Sequence, residues 1–284
     1  MLKLSFKAIT PVFIGSGEVL EDGFDYIIED GSFRRYNDRT VLTELALNGN
    51  FDFTKAEKIT LDFLKTKIAE ISSETKDLYE YEIKLLSDST GQYGSNKSVI
   101  GRNGVREFIN SNGKFYIPGS SIKGCLTTLF RPVELRTNSI HGRFLIHDSG
   151  PIESRYFEIA DFDWFPYQSF MTLKAGTEFT ITVPKTGYLT KENLKQKISS
   201  YFKSQFEKAI ISLTAGGGRN WENVEELENF FESNKDQMLV NVGYGGGSWF
   251  KMDGGNVPGI LTDRCKSPSK MTGWCSVKID EVKQ

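Results

Sequence analysis

Three short segments hold the backbone and side-chain groups of this chain that are best suited to bind an anion. They are Gly15-Ser16-Gly17, Gly119-Ser120-Ser121 with Lys123 close behind, and the glycine run from Gly243 to Gly247. Glycine lets backbone N–H groups approach a ligand closely, while serine hydroxyls and a lysine ammonium bind phosphate oxygens. These residue types indicate phosphate binding rather than bond cleavage.

The second segment has the clearest order of local structural signals. An apolar run is followed by a break at Pro118-Gly119 and then by a helical pattern. The spacing predicts a helix start at which Ser120 or Ser121 caps the first N–H groups. Such a start attracts anions, because its N–H groups and the helix dipole are positive there, and Lys123 adds a full charge. An ordinary serine-capped turn, with no ligand, has the same pattern.

Catalytic and metal-binding patterns are weaker. The Gly-x-x-x-x-Gly-Lys-Ser/Thr motif of nucleotide-hydrolysing enzymes is absent, and no Ser-His-Asp or Cys-His order is apparent. The chain has three cysteines, without a Cys-x-x-Cys pair, and two histidines, which disfavours zinc and fits reduced thiols. We therefore expect no metal or cofactor. The candidates for a divalent metal or a general base are Asp22, Asp25, Asp161, Asp163, His141 and His147.

The composition predicts a globular protein without the overall basic charge of an autonomous nucleic-acid binder. The 284 residues carry a net charge of −2, and the pI is near 5.9. Any nucleic acid would therefore be bound by a local surface or with the help of neighbouring subunits. The absence of a long apolar run and of a leader pattern predicts a cytoplasmic location.

Hydrophobic periodicity predicts an α+β fold of two units that share one core. We expect a first strand over residues 2–8 that pairs with a hairpin at 24–36, and an irregular insertion over 87–113. The remaining predicted strands lie at 79–86, 115–117, 142–148, 155–164, 176–184 and 273–279. The predicted helices lie at 41–47, 53–71, 122–130, 191–213 and 221–231, and the last of these is acidic.

Three segments, in their order along the chain, resemble the hallmark segments of CRISPR RAMP proteins. They are residues 10–17 (TPVFIGSG), 116–124 (YIPGSSIKG) and 243–250 (GYGGGSWF). Residues 146–149 (IHDS) and 273–279 (GWCSVKI) resemble most the type III-A, Csm-type subunit that caps the 3′ end of the guide RNA. The family's first segment usually has a histidine at the position of Phe13, so any role of that imidazole is lost here.

The resemblance implies an α+β fold of two ferredoxin-like (RRM-like) domains with antiparallel sheets. The first would span 1–150, with the insertion at 87–113, and the second 151–284, with the glycine-rich loop at 243–250. It also implies a non-catalytic subunit that binds crRNA, assembles with backbone RAMP subunits and the large polymerase-like subunit, and supports guide maturation by other nucleases.

The residues expected to contact the guide follow from matching the hallmark segments, with Tyr244 or Trp249 as stacking platforms for bases. An endoribonuclease or backbone RAMP that cuts RNA with a loop aspartate and a divalent metal remains the alternative. The expected RNA contacts are Gly15, Ser16, Gly17, Gly119, Ser120, Ser121, Lys123, Gly243, Tyr244, Gly245, Gly246 and Gly247.

Overall fold

A computed structural model of the chain has an α+β fold in which antiparallel strand pairs predominate. It describes residues 1–47, 61–72, 78–85, 103–129, 146–161, 168–185, 189–215, 221–243 and 272–282. The strands are β1 (Leu2–Ala8), β2 (Gly15–Leu20), β3 (Tyr26–Glu29), β4 (Ser32–Tyr36), β5 (Tyr79–Lys84), β6 (Val105–Phe108), β7 (Asn110–Ser111), β8 (Lys114–Phe115), β9 (Phe157–Asp161), β10 (Ser169–Leu173), β11 (Glu178–Val183), β12 (Leu239–Asn241) and β13 (Trp274–Glu281). The helices are α1 (Asp38–Leu47), α2 (Leu61–Ser72), α3 (Gly119–Thr128), α4 (Lys191–Ala215) and α5 (Trp221–Asn234), with a 3-10 turn at Ser154–Tyr156.

The first sheet has the order β11-β1-β13-β12, with every pair antiparallel. Its central strand β1 buries alternate residues, as the period-two pattern predicts, and Phe6 stacks on Phe179 with ring centroids 4.9 Å apart. The expected pairing of this strand with the 24–36 hairpin is wrong. Strands from the far end of the chain, β11 and β13, hydrogen-bond to β1 on its two sides instead.

The second sheet has the order β2-β6-β10-β9, in which only β6 and β10 are parallel. The predicted irregular insertion over 87–113 is wrong for β6, where Val105 and Phe108 are fully buried. Frequent Gly, Ser and Asn around these residues obscured two apolar side chains that belong to the core. Both four-stranded sheets combine strands from each side of residue 150, so neither sheet lies within one of the two predicted domains.

The third sheet, β3-β4-β5, contains the predicted hairpin. Asp30 and Gly31 have φ angles of 50° and 68°, the conformation that a tight type I′ turn requires. Helices α1 and α2 bury Val41, Leu45 and Ile68 beside this sheet in a small separate core. These elements confirm the predictions for 41–47 and 79–86, whereas residues 53–60 of the longer predicted helix lie outside the described part of the chain.

Helices α4 and α5 confirm the two helices predicted in the second half of the chain. Leu194, Ile198 and Phe202 are buried on α4, and Phe202 stacks on Phe231 of α5 with centroids 5.5 Å apart. Both helices cover the Trp274 end of the first sheet. None of the helices in the described residues is both long and apolar enough to cross a membrane.

Candidate nucleic-acid interface

The first glycine segment forms a bulge at the start of edge strand β2. Gly15 pairs with Phe108 and Val19 with Arg106, so β2 contains two more residues than β6 between these pairs. Within the bulge, Gly17 has a φ of +100° and the Ser16 Oγ accepts a hydrogen bond of 3.1 Å from the Glu18 amide. The segment is thus part of the second sheet, paired with β6 on both sides of the bulge. Its residues 15–19 are nevertheless exposed.

An aromatic cluster supports the bulge from below. Phe13 is 4% exposed and meets Phe170 and Phe108 edge to face, with centroid distances of 5.1 and 6.5 Å. Phe108 also contacts Phe115, which precedes the second segment, at 6.4 Å. A phenyl ring suits this apolar position, where an imidazole would have to bury a polar nitrogen.

The third segment begins directly against the first. Gly243 has a φ of +83°, and a β-carbon at this position would overlap the carbonyl oxygen of Phe13 and lie 2.9 Å from Cγ1 of Ile14. Only glycine fits, since both the backbone conformation and the available space exclude a side chain. The structure therefore brings the first and third hallmark segments together. Residues 244–250, including Tyr244, Gly245, Gly246, Gly247 and Trp249, lie outside the described residues.

The terminal strand secures this junction through backbone hydrogen bonds. The Gly273 amide donates to the Pro11 carbonyl and the Val242 amide donates to the Gly273 carbonyl, both at 2.7 Å. The Trp274 amide donates to the Thr10 Oγ1 at 2.9 Å. Residues 273–279, predicted from their apolar alternation to close the fold as a strand, thus hold the first and third segments in place.

The second segment has a different cap from the one predicted. Helix α3 begins at Gly119, whose amide donates a 2.8 Å hydrogen bond to Oδ1 of Asp148. Ser149 adds two contacts, since its Oγ accepts from the Ile117 amide at 2.8 Å and its own amide donates to the Ile117 carbonyl at 3.0 Å. The serine cap is therefore wrong: Ser120 and Ser121 lie within the first turn, and a distant aspartate accepts the first helical N–H.

Gly119 is required for packing at this contact. A β-carbon on Gly119 would overlap the carbonyl oxygen of Ile146 and lie 2.7 Å from its carbonyl carbon. In this structure the Gly119 amide donates to the Asp148 carboxylate. Ser120 is exposed, and Ser121 and Lys123 are half-buried, so these three side chains are the part of the segment that can reach a ligand.

Asp148 and Ser149 are the site residues whose contacts with the second segment were not predicted from the sequence. Residues 146–148 were predicted as a strand, but in the structure they run irregularly alongside residues 117–119. The available signal was an aspartate and a serine that follow an apolar run and precede Gly150-Pro151. That signal indicates a turn, and nothing in it shows which helix the carboxylate caps.

We expect Asp148→Ala to lower the free energy of unfolding by about 1 kcal/mol, the usual contribution of a helix-capping side chain. Asp148→Asn is the matched control, because its side-chain amide oxygen can still accept a hydrogen bond from the Gly119 N–H. Its free energy of unfolding should fall by only a few tenths of about 1 kcal/mol. Urea unfolding followed by circular dichroism measures both. An alanine variant as stable as the wild type would show that the 2.8 Å hydrogen bond contributes nothing.

Two thiols connect α3 with the terminal strand. Burial raises the pKa of Cys125 to about 12, and burial together with the neighbouring Cys125 thiol raises the pKa of Cys275 further. Both groups therefore stay protonated and unreactive near neutral pH. Helix α3 thus packs in the same core as β13 and the first segment.

The candidate metal and base residues do not form a site in the described residues. The Asp25 carboxylate accepts a 2.7 Å hydrogen bond from the Glu21 amide and lies 3.8 Å from Arg35, and burial raises its pKa. The described part of the chain contains no group of three His, Cys, Asp or Glu residues that could hold a metal ion. His147 is exposed, whereas His141 and Asp163 lie outside this part.

Comparison with known proteins decides the family. The RAMP superfamily model matches residues 5–250, which include all three glycine segments. The chain belongs to the RAMP superfamily. The resemblance drawn from the three segments is thereby confirmed. Two of the hallmark glycines of this RAMP chain, Gly119 and Gly243, lie directly against backbone carbonyl groups.

Curated and solved relatives are of the Csm kind. This RAMP chain is 31% identical over 138 residues to a protein of Methanocaldococcus jannaschii named CRISPR system Cms protein Csm5, and the match covers 45% of this chain and 30% of that protein. Its fold is similar to a chain of the cryo-EM Csm-crRNA-target RNA ternary complex of a type III-A CRISPR-Cas system. That match has a TM-score of 0.66 at 13% identity and covers 98% of this chain and 100% of the other. The crystal structure of T. onnurineus Csm5 has a TM-score of 0.61 at 14% identity, with 96% and 99% covered.

Proposed function

We propose that the chain is a crRNA-binding subunit of a type III-A Csm effector complex, that it caps the 3′ end of the guide, and that it does not cut RNA. The observation that carries this proposal is the exposed bulge at Gly15–Gly17, which is held against Gly243 on a RAMP fold. The Csm-type relatives in sequence and fold support the assignment to a Csm complex.

In this proposal the exposed groups of the three segments bind the guide backbone. The amides and the hydroxyl of the bulge donate hydrogen bonds to the oxygens of one phosphate, and Ser120, Ser121 and Lys123 bind another. Gly119 and Gly243 hold the segments in place, because neighbouring backbone occupies the space where a side chain would lie. Tyr244, with Gly245, Gly246 and Gly247, supplies the stacking and backbone contacts of the third segment.

The partners proposed for this subunit are the crRNA, the backbone RAMP subunits and the large polymerase-like subunit. In a cytoplasmic complex, it would support guide maturation by exposing or shielding the 3′ end to separate nucleases. The finer fold description, two ferredoxin-like domains, belongs to the same proposal. No cofactor is required, since phosphate binding uses only groups of the chain.

The test is whether RNA co-purifies with the wild-type chain, alone and together with its partner subunits. For Lys123→Ala we expect an affinity for single-stranded RNA that is lower by roughly threefold to tenfold. The slope of affinity against salt should fall by about 0.7, the value for one phosphate contact on a single strand. Lys195→Ala, an exposed lysine of helix α4, is the control that should bind as the wild type does.

The same preparations test the non-catalytic part of the proposal. The complex is incubated with guide and target RNA, with and without Mg²⁺. Cleavage that disappears in Asp25→Ala or His147→Ala would overturn it and favour the endoribonuclease. A chain that carries no RNA in any preparation would contradict RNA binding altogether.

A further inference from the structure

The outward face of the first sheet carries a cluster of lysines that the three hallmark segments do not include. In β1, Lys3, Ser5 and Lys7 alternate with the buried residues, and Lys3 and Lys7 are exposed. Lys278 is exposed on the neighbouring strand β13. We name this group of Lys3, Lys7 and Lys278 the lysine face.

The strand register places the three lysines together. Lys278 lies opposite Ser5, which stands between Lys3 and Lys7 on the same side of β1. Neighbouring strands are roughly 4.8 Å apart, and Lys3 and Lys7 are separated by roughly 13 Å along their strand. The three flexible side chains can therefore reach a common ligand that lies across the sheet.

The charge of the lysine face is only partly balanced. Among the described residues, none of its lysines has a carboxylate oxygen within 4.0 Å. Glu178 lies opposite Lys7 and Asp280 opposite Lys3 on the same face. Asp280 is 3.8 Å from a further lysine, Lys191 of helix α4. The face is thus net positive in a chain whose overall charge is −2.

The residues around the lysines favour the phosphate backbone of a nucleic acid, rather than a protein, as the ligand of the lysine face. Hydroxyl side chains share the face, and the outward positions of β1, β11 and β13 hold no exposed apolar side chain. Protein interfaces are built around apolar and aromatic anchors and are depleted in lysine, whereas phosphates are bound by lysine, serine and threonine. The hydroxyl residues are Ser5, Thr180, Thr182 and Ser276.

We propose that the lysine face is a second RNA contact, which binds the phosphate backbone of a single strand without reading its sequence. The proposal rests on the proposed function, because it extends the same RNA beyond the glycine segments. Strand β1 connects the two surfaces, since it leads from Lys7 to Thr10, which is hydrogen-bonded to Trp274 at the junction of Phe13 and Gly243. The RNA path therefore continues from the bulge across the first sheet.

The test compares two triple variants of the full chain with equal changes in charge. K3Q/K7Q/K278Q removes the lysine face, and K195Q/K203Q/K235Q removes two exposed lysines of helix α4 and one in the turn after α5. The probe is a fluorescein-labelled single-stranded RNA of mixed sequence, and fluorescence anisotropy is measured over a series of salt concentrations. We expect the first variant to bind roughly tenfold more weakly or worse, with a salt slope shallower by about 2, and the second to stay near the wild type.

The outcomes separate this inference from the proposed function. Equal affinities and salt slopes for the two triple variants would overturn the lysine face while leaving the glycine segments untouched, provided that Lys123→Ala still weakens binding. Loss of a co-purifying protein subunit by the first variant, with RNA binding intact, would also overturn it and assign the face to an acidic protein. A wild-type chain that binds no RNA, alone or assembled, would overturn both proposals.

Discussion

Gly119→Ala is expected to lower the free energy of unfolding by about 2 to 4 kcal/mol, because the new methyl group has no space. It would overlap the carbonyl oxygen of Ile146 and lie 3.0 Å from that of His147. Both obstacles are backbone atoms, so no side chain can rotate away to make room. Relief requires residues 146–148 to move, which would break the hydrogen bond from Gly119 to Asp148.

The matched control is Gly124→Ala in the same helix. Among the residues that the structure describes, no atom outside the helix's own backbone and the neighbouring residues lies within 4 Å of a β-carbon placed at Gly124, and alanine is the better helix former. This variant should be as stable as the wild type or more stable by up to about 1 kcal/mol. Denaturant midpoints measured side by side report the difference. If both variants unfolded at the same midpoint, the close contact at Gly119 would be refuted.

Arg35→Met is expected to cost about 3 to 5 kcal/mol, the usual penalty for breaking a buried ionic network. The Arg35 side chain is 6% exposed, and its guanidinium donates to both carboxylate oxygens of Asp38 at 2.8 and 3.1 Å. It also donates to the carbonyls of Asp25 and Tyr36 and lies 4.0 Å from the buried Glu107. Methionine fills a similar volume but removes the guanidinium donors that these acceptors share.

Arg34→Met provides the control for Arg35, since the neighbouring arginine is more exposed. Its ion pairs with Glu29 and Glu82 lie at the surface, at 2.6 and 3.8 Å, so its loss should change stability by less than about 1 kcal/mol. Chemical denaturation of the two variants tests the contrast. A loss as large for Arg34→Met as for Arg35→Met would contradict the account based on burial.

The pH dependence of Arg35→Met gives a second readout. Burial raises the pKa of Glu107 above its ordinary value, although Tyr81 donates a hydrogen bond of 2.8 Å to its carboxylate and Arg35 lies near it. A carboxyl with a raised folded-state pKa binds its proton more tightly in the native state, so stability falls as the pH rises from the unfolded pKa through the folded one. Without Arg35 the folded pKa should rise further. The deficit of the variant should therefore shrink in acid and grow toward neutral pH.

The helices and strands with strong hydrophobic periodicity were predictable from the sequence, but the strands with which they pair in the sheets were not. The alternation over residues 2–8 specifies a strand with one buried face, and Asp30-Gly31 specifies a tight hairpin turn. Nothing local specifies that β1 lies between β11 and β13, because backbone hydrogen bonds between strands carry no sequence code. Strand β6 was missed for a related reason: four residues with an arginine and a glutamate have too little period to stand out from a polar stretch.

The segments of the candidate site were predictable from the sequence, but the contacts between them were not. A glycine in the sequence indicates that the backbone there has an unusual conformation or a close neighbour, but the sequence does not show which of the two requires the glycine. Gly17 adopts a positive φ with no atom of the described part of the chain near its missing side chain, whereas Gly119 and Gly243 face another stretch of backbone. The capping of α3 by Asp148 connects residues 29 positions apart, so local helix-capping rules pointed to the nearby serines instead.

The central position of β1 between β11 and β13 has a consequence for synthesis of the chain on the ribosome. Leu2, Leu4, Phe6 and Ala8 are made long before their partner strand β13, which is complete only after residues 274–281 have been translated. Until then these apolar side chains lack half of their sheet, which favours slow folding and exposure to aggregation. The nascent chain should therefore depend on chaperones, and the sheet should close only after translation of β13.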